Sequence, residues 1–578
     1  MNYRENYRSW LEDSHFDKKT REELRSIENN EKEIEDRFYR ELEFGTGGMR
    51  GVIGAGTNRM NKYTVRRAAQ GFATTLKKTG TGNKKGVAIA YDSRHCSKEF
   101  ALETALVMAY NGIKAYLFDD LRPTPELSFA VRTLGCAGGV VITASHNPKE
   151  YNGFKAYGHD GGQLPPAETD LVTENVNQIT DITSVHPMSY DEAVEKGLLK
   201  IVGKEVDDAF IEAVKKVCIH PELSKRYGKD VRIIYTPLHG TGNKPVRRVL
   251  REIGFEHVDV VKEQELPDPD FSTVKYPNPE DRAAFEIAIE MAKKDDVDLI
   301  IGTDPDCDRL GVVVRDDCGE YITLTGNQTG CLLLEYILSQ RKAKNMLPAN
   351  GFVVKTIVSS ELARKIARNY HVELIDVLTG FKFIGEQIRL LDDSGRKKFI
   401  FGFEESYGYL AGTHARDKDA VVASMLVAEM YAWYKSRGMN LYGGLLELFK
   451  KYGTVKECLD SFTLKGREGL EKIDAAMETL RRETPKEFGN SKVSSVYDYQ
   501  KRTRMDFETG KTSPLDLPES NVLYYMLVSG NWFCIRPSGT EPKIKIYYGV
   551  SSDSLENAEK ELAALKDDVL SVVRPLLE

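Results

Sequence analysis

The sequence lacks long hydrophobic runs and any tract of a single charge. No stretch approaches the roughly 18 consecutive apolar residues that a membrane-spanning helix needs, and the chain is charged from Arg4 onward. With 81 Lys plus Arg against 88 Asp plus Glu, the net charge of −7 is spread along the chain. These features argue against membrane, secreted and nucleic-acid-binding proteins. We therefore expect a cytoplasmic protein with no membrane or nucleic-acid partner.

Cysteine is also sparse. The 8 cysteines are scattered along the 578 residues, with no C-x-x-C pair and no spacing typical of zinc. We interpret them as reduced thiols that mostly fill the core. Neither a disulfide-stabilised scaffold nor a structural zinc domain fits this pattern.

Apolar residues, by contrast, are numerous enough for several cores, since 41% of the chain is hydrophobic and 29% is charged. Over most of the length, short β-branched runs alternate with amphipathic helices, which predicts three α/β units. The tail differs, because strands 523–527, 531–535 and 543–548 are joined by tight turns before a helix at 555–577. This order predicts an antiparallel α+β domain.

The N-terminal residues are rich in Glu, Lys and Arg, with apolar residues at helical spacing. They predict one or two amphipathic helices on a domain surface. The whole chain is then divided into a helical extension and four domains. The predicted boundaries are 1–43 for the extension and 44–205, 206–325, 326–450 and 451–578 for domains 1 to 4.

A serine follows an apolar strand of domain 1. Ser145 lies in the run TASHNPKEYNGFK, with His146 beside it and Lys155 farther along. A serine between residues that continue neither helix nor strand is placed like a nucleophile, with the imidazole as a candidate base. An ordinary Ser-His-Asn-Pro turn accounts for the same residues, and the run is not the G-x-S-x-G elbow of hydrolases.

An acidic run, GTDPDCDR, follows an apolar strand of domain 2. Its three aspartates would repel one another unless a divalent cation neutralised them, and all-oxygen ligands favour Mg²⁺ or Mn²⁺ over zinc. An EF-hand is excluded because Arg309 and Arg315 stand where its glycine and bidentate glutamate must be. An acidic solvated turn is the alternative. We favour a metal site at Asp304, Asp306 and Asp308.

Two later loops carry groups that suit a sugar phosphate. Glu404 and Ser406, in GFEES, can exchange hydrogen bonds with vicinal hydroxyls, although a carboxylate facing solvent fits equally well. The RPSGTEPK turn offers a guanidinium, hydroxyls and free N–H groups to a phosphate, the alternative being an ordinary hairpin tip. The glycine-rich FGTGGMRG loop around Arg50 has neither dinucleotide nor P-loop spacing.

These motifs, TASHNPKEYNGFK, GTDPDCDR, GFEES and RPSGTEPK, occur in this order, one in each predicted domain. In this combination the sequence resembles the α-D-phosphohexomutase family, from about Phe44 to the C-terminus. The resemblance implies a heart-shaped molecule of three α/β domains with mixed sheets and a C-terminal antiparallel α+β domain around a central cleft. It also implies interconversion of α-D-glucose 1-phosphate and glucose 6-phosphate through a phosphoserine enzyme and glucose 1,6-bisphosphate, which doubles as the primer.

The resemblance assigns roles to individual residues. Ser145 matches the phosphoserine, which with the three aspartates would hold Mg²⁺. The implied catalytic set is Ser145, Lys155, Arg50, Arg309 and His146. The implied sugar contacts are Glu404, Ser406 and Lys418. The implied site for the substrate's non-reacting phosphate is Arg536, Ser538, Gly539, Thr540 and Lys543.

Two departures from the family leave the general acid and base open. Where some members carry a histidine after the sugar loop, the nearest one here is His414, and the run TGFKF has an aromatic where others have histidine. A phosphopentomutase or phosphomannomutase is the alternative within the family. A metal-dependent sugar phosphatase and a non-catalytic sugar-phosphate sensor are alternatives from other classes. We expect small sugar phosphates as partners and a monomer or weak homodimer.

Overall fold

A computed structural model of the chain describes residues 2–45, 47–464, 466–538 and 543–578. The helices of these residues are α1 Tyr3–Glu12, α2 Lys18–Ser26, α3 Glu31–Phe38, α4 Lys62–Lys78, α5 Gly82–Lys85, α6 Ser97–Tyr110, α7 Thr124–Thr133, α8 Pro166–Asn177, α9 Tyr190–Glu195, α10 Lys204–Lys215, α11 Pro221–Tyr227, α12 Asn243–Ile253, α13 Lys262–Glu265, α14 Glu286–Ala292, α15 Gly326–Ala343, α16 Leu362–Asn369, α17 Phe381–Gln387, α18 Ala420–Ser436, α19 Leu441–Tyr452, α20 Gly466–Arg482 and α21 Leu555–Leu577. None of the described helices combines the length and apolar character that a membrane crossing requires.

The strands of the same residues are β1 Gly48–Val52, β2 Val87–Tyr91, β3 Ala115–Phe118, β4 Gly138–Ile142, β5 Tyr151–Tyr157, β6 Leu199–Val202, β7 Arg232–Thr236, β8 His257–Val260, β9 Leu299–Thr303, β10 Leu310–Arg315, β11 Tyr321–Leu324, β12 Gly351–Thr356, β13 Glu373–Val377, β14 Lys398–Glu404, β15 Gly408–Ala411, β16 Thr454–Thr463, β17 Glu487–Phe488, β18 Ser491–Asp498, β19 Thr503–Asp506, β20 Thr512–Pro514, β21 Leu523–Leu527, β22 Trp532–Pro537 and β23 Lys543–Ser552.

The N-terminal extension forms three helices in its described part, so the prediction of one or two was wrong. The side chains of Asp17 and Asn30 each accept a hydrogen bond from a following backbone N–H and so begin a new helix. The apolar faces meet around Trp10, which stacks on Phe16 with ring centroids 4.2 Å apart. This small core also contains Tyr63 of α4, which ties the extension to domain 1.

The first sheet has the order β1-β5-β4-β2-β3-β6. Strands β4, β2, β3 and β6 are parallel, whereas β5 and β1 join antiparallel. All five residues of β2 and of β4 are buried, because helices cover both faces of this sheet. The carboxyl end of β4 therefore delivers the Ser145 loop from a rigid support.

The second and third sheets have the orders β11-β10-β9-β7-β8 and β13-β12-β14-β15. Each combines parallel central strands with antiparallel ones at one edge. Helix α18 is buried along almost its whole length and contacts strands of both sheets, so that the two domains share one core. The acidic run follows β9, and Glu404 is the last residue of β14.

The described strands of the fourth sheet are antiparallel, in the order β16-β23-β22-β21-β18-β19-β20 with β17 beside β18. Helices α20 and α21 cover one face. The other face packs against domain 3 through a cluster that includes Tyr499, Tyr524, Trp532 and Tyr547. The predicted fold class, three mixed α/β domains and an antiparallel α+β domain, is confirmed.

Candidate active site

The loops that follow β4 and β9 meet at Ser145. Its backbone turns sharply, with a φ of 52°, a left-handed value that non-glycine residues adopt rarely. The Oγ of Ser145 donates a hydrogen bond to Oδ2 of Asp304, 2.7 Å away, and its side chain is nearly buried. The predicted nucleophile and the predicted metal loop are therefore in direct contact.

An arginine that the sequence reasoning missed supports this loop. The buried guanidinium of Arg94 donates to the carbonyl oxygens of Ser145 at 2.6 Å, Asn147 at 2.5 Å, Pro148 at 2.7 Å and Tyr151 at 3.2 Å. Arg94 thus binds four carbonyls of the serine loop at once. A signal was available, because Arg94 lies in the run YDSR directly after the apolar strand β2.

The three aspartates of the acidic run are fully buried, and each offers an oxygen within 4.8 Å of those offered by the other two. Among the described residues, Oδ1 of Asp306 and Oδ1 of Asp308 are buried without a hydrogen-bond partner. Leaving such oxygens unpaired is costly unless a cation or donor approaches them. The triad therefore fits a divalent cation that prefers oxygen ligands.

Two lysines contact the triad, one from domain 1 and one from domain 3. Lys155 of β5 places its Nζ 2.7 Å from Oδ2 of Asp306, while Lys418 places its Nζ 3.1 Å from Oδ2 of Asp308. Burial alone would lower the pKa of each lysine, but the aspartates raise the pKa of both. Both ammonium groups thus stay charged beside the acidic triad.

The carboxyl groups of the triad differ in their pKa values. Burial and repulsion from Asp306 raise the pKa of Asp304 well above its usual range. Burial would also raise the pKa of Asp306, but the Lys155 ammonium holds it below that range. Thr124 of domain 1 adds a hydrogen bond of 2.9 Å to Asp306, a contact that the sequence reasoning missed.

The imidazole predicted beside the serine is close to it, and the predicted guanidinium contacts the same loop. Nδ1 of His146 lies 3.1 Å from Oγ of Ser145. Burial, followed by the charges of Arg309 and Arg50, lowers the pKa of His146 well below its usual value, so that the ring is uncharged near neutral pH. The guanidinium of Arg50 donates to the side chain of Asn147 at 3.1 Å.

Arg309 links the predicted metal loop to the predicted sugar loop. Its guanidinium pairs with Glu280, a residue of domain 2 that the sequence reasoning missed. Its backbone forms a β-bridge with Gly408. Glu404 is 6% exposed, and burial raises its pKa although Lys418 opposes the shift. The predicted sugar group Glu404 thus interacts with Lys418 and Arg309, two cations that also act on Asp308, and the side chain of Ser406 hydrogen-bonds to it.

The lysine loop of domain 3 is fixed to domain 1. The hydroxyl of Tyr157 donates to Oδ2 of Asp417 at 2.8 Å, and Oδ1 of Asp417 lies 3.1 Å from Nζ of Lys418. Sequence reasoning missed both Tyr157 and Asp417. Tyr157 lies on β5, two residues from Lys155, so one strand supports both lysines.

The C-terminal domain contributes the last predicted group. Nη1 of Arg536 lies 3.5 Å from the hydroxyl of Tyr547, and the backbone N–H of Ser538 donates to the carbonyl of Lys543 at 2.7 Å. This bond brings the two described ends of the turn together. Gly539 and Thr540 lie outside the described residues.

His414, the nearest histidine after the sugar loop, has a different environment. Its Nε2 lies 2.7 Å from Oδ2 of Asp419, whose other oxygen caps the start of α18. Its ring packs near Phe210. In the run TGFKF, the ring of Phe381 lies beneath Lys418 with the ammonium 5.5 Å from its centroid. The structure thus brings Phe381, and not His414, to the cleft lysine.

Two solved structures show a similar fold. The exocytosis-sensitive phosphoprotein parafusin of Paramecium, a phosphoglucomutase in its open form, matches with a TM-score of 0.67 and 17% identity over 93% of this chain and 95% of its own. A phosphoglucomutase/phosphomannomutase family protein from Burkholderia thailandensis matches with a TM-score of 0.64 and 18% identity over 92% and 97%.

The sequence is similar to phosphoglucomutases of staphylococci. That of Staphylococcus aureus strain bovine RF122 / ET3-1 is 39% identical over 92% of this chain and 94% of its own length. That of Staphylococcus haemolyticus strain JCSC1435 is 38% identical over 91% and 94%. Models of the α/β/α domains I, II and III and the C-terminal domain of phosphoglucomutase/phosphomannomutase match residues 41–183, 208–319, 325–452 and 482–569. The chain therefore belongs to the phosphoglucomutase/phosphomannomutase family.

Proposed function

We propose that this protein is a phosphoglucomutase, an isomerase that interconverts α-D-glucose 1-phosphate and glucose 6-phosphate by moving a phosphoryl group. The observation that carries the proposal is the hydrogen bond between Ser145 and the buried acidic triad, in a chain 39% identical to a phosphoglucomutase. A serine hydroxyl beside a cation-binding cluster suits phosphoryl transfer. The roles of single residues and the domain boundaries are part of this proposal.

Ser145 gives one phosphoryl group and takes back another. In the phosphorylated enzyme, the phosphoryl group on Oγ passes to the 6-hydroxyl of glucose 1-phosphate, which yields glucose 1,6-bisphosphate. The bisphosphate then turns around, and its 1-phosphoryl group returns to Oγ of Ser145, which releases glucose 6-phosphate. The same steps in reverse order carry the opposite reaction.

Charge is the main obstacle to this chemistry, because phosphoserine carries nearly two negative charges at neutral pH. Asp304, Asp306 and Asp308 are the residues that would hold Mg²⁺, which screens the phosphoryl oxygens when bound. Lys155 and Arg309 add fixed positive charge beside Asp306 and Asp308 of the triad that Ser145 contacts. Arg94 holds the serine loop in its strained turn, so that Oγ needs no rearrangement before transfer.

The substrate must bind in two orientations. Glu404 and Ser406 would hold sugar hydroxyls that nearly coincide in both, while Arg536, Ser538 and Lys543 would bind whichever phosphate is not reacting. Water must be kept out, because a hydrolysed phosphoserine leaves an inactive enzyme until a sugar bisphosphate, here glucose 1,6-bisphosphate, restores it. We therefore propose that domain 4 closes on the bound phosphate, with its hinge at residues 437–460.

A comparison of kcat/KM on three sugar 1-phosphates tests the proposal. We expect kcat/KM to be highest on α-D-glucose 1-phosphate when mannose 1-phosphate and ribose 1-phosphate are compared under the same Mg²⁺ and primer conditions. If kcat/KM is higher on ribose 1-phosphate or mannose 1-phosphate, that sugar phosphate and not glucose 1-phosphate is the preferred substrate. Steady release of inorganic phosphate in place of the isomer would identify a phosphatase instead.

A further inference from the structure

A cavity of about 430 Å³ lies between domains 1 and 2. Its walls come from the loop after β3, from α7 and α10, and from the chain around the start of α12 and the end of α13. Neither Ser145 nor the acidic triad lines it. Small-molecule sites have volumes of roughly 300–1,000 Å³, and in open α/β sheets they lie beyond the carboxyl ends of the strands. The size and position of this cavity are therefore those of a ligand site.

A threonine that lines the cavity has an unused hydroxyl. Thr241 is 3% exposed, and its Oγ1 is buried without a hydrogen-bond partner among the described residues. The backbone N–H of Thr241 donates to the carbonyl oxygen of Pro305 in the acidic run, at 2.8 Å, which fixes its position. A buried hydroxyl without a partner has lost the hydrogen bonds that it made to water. A ligand that accepts a hydrogen bond from Thr241 would offset that loss.

The start of α12 adds positive charge beside this hydroxyl. The helix begins at Asn243, and the preceding Gly242 supplies no side-chain cap. No acidic residue lies in the first turn, whereas Lys244 does, and it lines the cavity while pairing with Asp120 of domain 1 at 2.7 Å. A cation at the positive end of a helix dipole is unfavourable, and an anion there is favourable. This end of the cavity therefore suits an anionic group.

The wall formed by the β3 loop, α7 and α10 is electrically balanced. Arg122 pairs with Asp207 at 2.7 Å. Burial, followed by a hydrogen bond to Asp207, raises the pKa of Glu126 well above its usual range, so that this buried carboxyl group is uncharged near neutral pH. A balanced ion pair and a neutral carboxyl group do not attract a second negative charge. The cavity therefore favours a ligand with one negative charge over a dianion.

Apolar side chains supply much of the remaining lining. They are Leu121, Ile211, Pro245, Leu266 and Pro267. Leu266 is 71% exposed, so that a ligand in the cavity would cover apolar surface that now faces water. Covering such surface is favourable in proportion to its area. The lining thus combines one anion-binding end with an apolar wall.

We propose that this cavity is a ligand site, separate from the Ser145 loop and the acidic triad, for a small monocarboxylate with an apolar body, such as an aromatic or branched-chain acid. The carboxylate accepts hydrogen bonds from the Thr241 hydroxyl and from N–H groups at the start of α12. The apolar body lies against Leu121, Ile211 and Leu266. Because Thr241 is hydrogen-bonded to Pro305, the ligand contacts a segment that supports the acidic run.

Phenylacetate is a suitable probe, and phenylacetamide, which has the same ring but no charge, is its control. Calorimetric titration of the full-length protein should show one phenylacetate bound per chain and binding of phenylacetamide that is weaker by about tenfold or more. Saturating glucose 6-phosphate should leave the affinity for phenylacetate unchanged, because the two ligands occupy different sites. The proposal is wrong if phenylacetate does not bind, if both compounds bind equally, or if glucose 6-phosphate displaces phenylacetate.

Substitution of Thr241 tests the anion-binding end. Thr241→Val removes the hydroxyl at nearly constant volume and should weaken phenylacetate binding about tenfold or more, whereas Thr241→Ser should retain most of the affinity. The melting temperature of Thr241→Val should not fall, because the hydroxyl makes no hydrogen bond in the free protein. Thr323→Val is the control, since Thr323 of β11 also has a buried hydroxyl without a partner among the described residues but lies outside the cavity. Equal affinities of Thr241→Val and Thr323→Val would refute the proposal.

Charge reversal provides a second test that holds even if Thr241→Val lacks a cooperative unfolding transition. Lys244→Glu places a carboxylate at the start of α12 and should weaken phenylacetate binding about tenfold or more. Lys262→Glu changes an exposed lysine of α13 that lies outside the cavity, and it should bind phenylacetate like the unmodified protein. If the two variants bind phenylacetate equally well, the carboxylate does not lie at the start of α12 and the proposed site is wrong.

Discussion

Around the acidic triad, directed polar contacts cross between domains 1, 2 and 3, whereas domain 4 meets domain 3 mainly through aromatic and aliphatic packing. Ser145 to Asp304, Lys155 to Asp306 and Tyr157 to Asp417 are side-chain hydrogen bonds that cross between the first three domains. The contact of domain 4 is the cluster around Trp532 and Tyr547. Hydrogen bonds fix distance and angle, while apolar contact is non-directional. We therefore expect the proposed reacting centre to be fixed and the proposed phosphate turn of domain 4 to be adjustable.

The largest expected effect comes from removing the nucleophile at the junction of domains 1 and 2. Ser145→Ala should lower mutase activity to below about a thousandth, because no other hydroxyl replaces Oγ. The melting temperature should change little. By intact mass, the unmodified protein should gain about 80 Da after incubation with glucose 1,6-bisphosphate, and the variant should gain nothing. Near-normal activity in Ser145→Ala would refute the phosphoserine mechanism.

Arg94 and Arg536 test the two regions against each other. Arg94→Lys loses some of the guanidinium hydrogen bonds to the four carbonyls of the serine loop. Because this loss should displace the proposed nucleophile Ser145, we expect kcat to fall by up to about a hundredfold. Arg536→Lys should instead raise the KM with a smaller change in kcat. Steady-state kinetics on glucose 1-phosphate separate these outcomes. If both variants changed the same constant, the division between a fixed and an adjustable region would be wrong.

Much of the site could be predicted because its residues follow apolar strands in short runs. Ser145, the three aspartates and Glu404 all lie at strand ends, where open α/β sheets place their loops. Tyr157 and Glu280 could not be found in this way, because their partners Asp417 and Arg309 are distant in sequence. The third N-terminal helix was missed because polar caps at Asp17 and Asn30 divide one amphipathic pattern.

Closure of domain 4 is the next effect in size. Gly453 lies between α19 and β16 with a φ of 92°, which favours glycine, and marks a sharp turn of the chain inside the predicted hinge at 437–460. Small-angle scattering should give a smaller radius of gyration when glucose 1-phosphate is present. Arg536→Gln, which lacks the distal guanidinium, should keep the ligand-free dimensions. Equal dimensions of the unmodified protein with and without ligand would refute closure.

The smallest expected effect concerns a carboxyl group at the contact of domain 4 with domain 3. Glu457 lies on β16 beside Ser360 and Asn327, with Lys355 and Glu361 as its charged neighbours, and burial raises its pKa to about 7. Between about pH 4.5 and 7, Glu457 is therefore protonated in the folded protein but ionised in the unfolded chain. Stability contributed by this group falls as the pH rises through that window, and the loss persists above it.

Glu457→Gln should remove this loss, since glutamine is uncharged at every pH in question. We expect the variant to be more stable than the unmodified protein by about 3 kcal/mol at pH 8 and by less than about 1 kcal/mol at pH 5. Thermal unfolding at the two pH values measures the difference, with the exposed Glu519→Gln of the same domain as control. A gain of equal size at pH 5 and pH 8 would mean that packing and not charge is responsible. In that case the contact between domains 3 and 4 would depend on apolar packing alone, and Glu457 would not titrate within it.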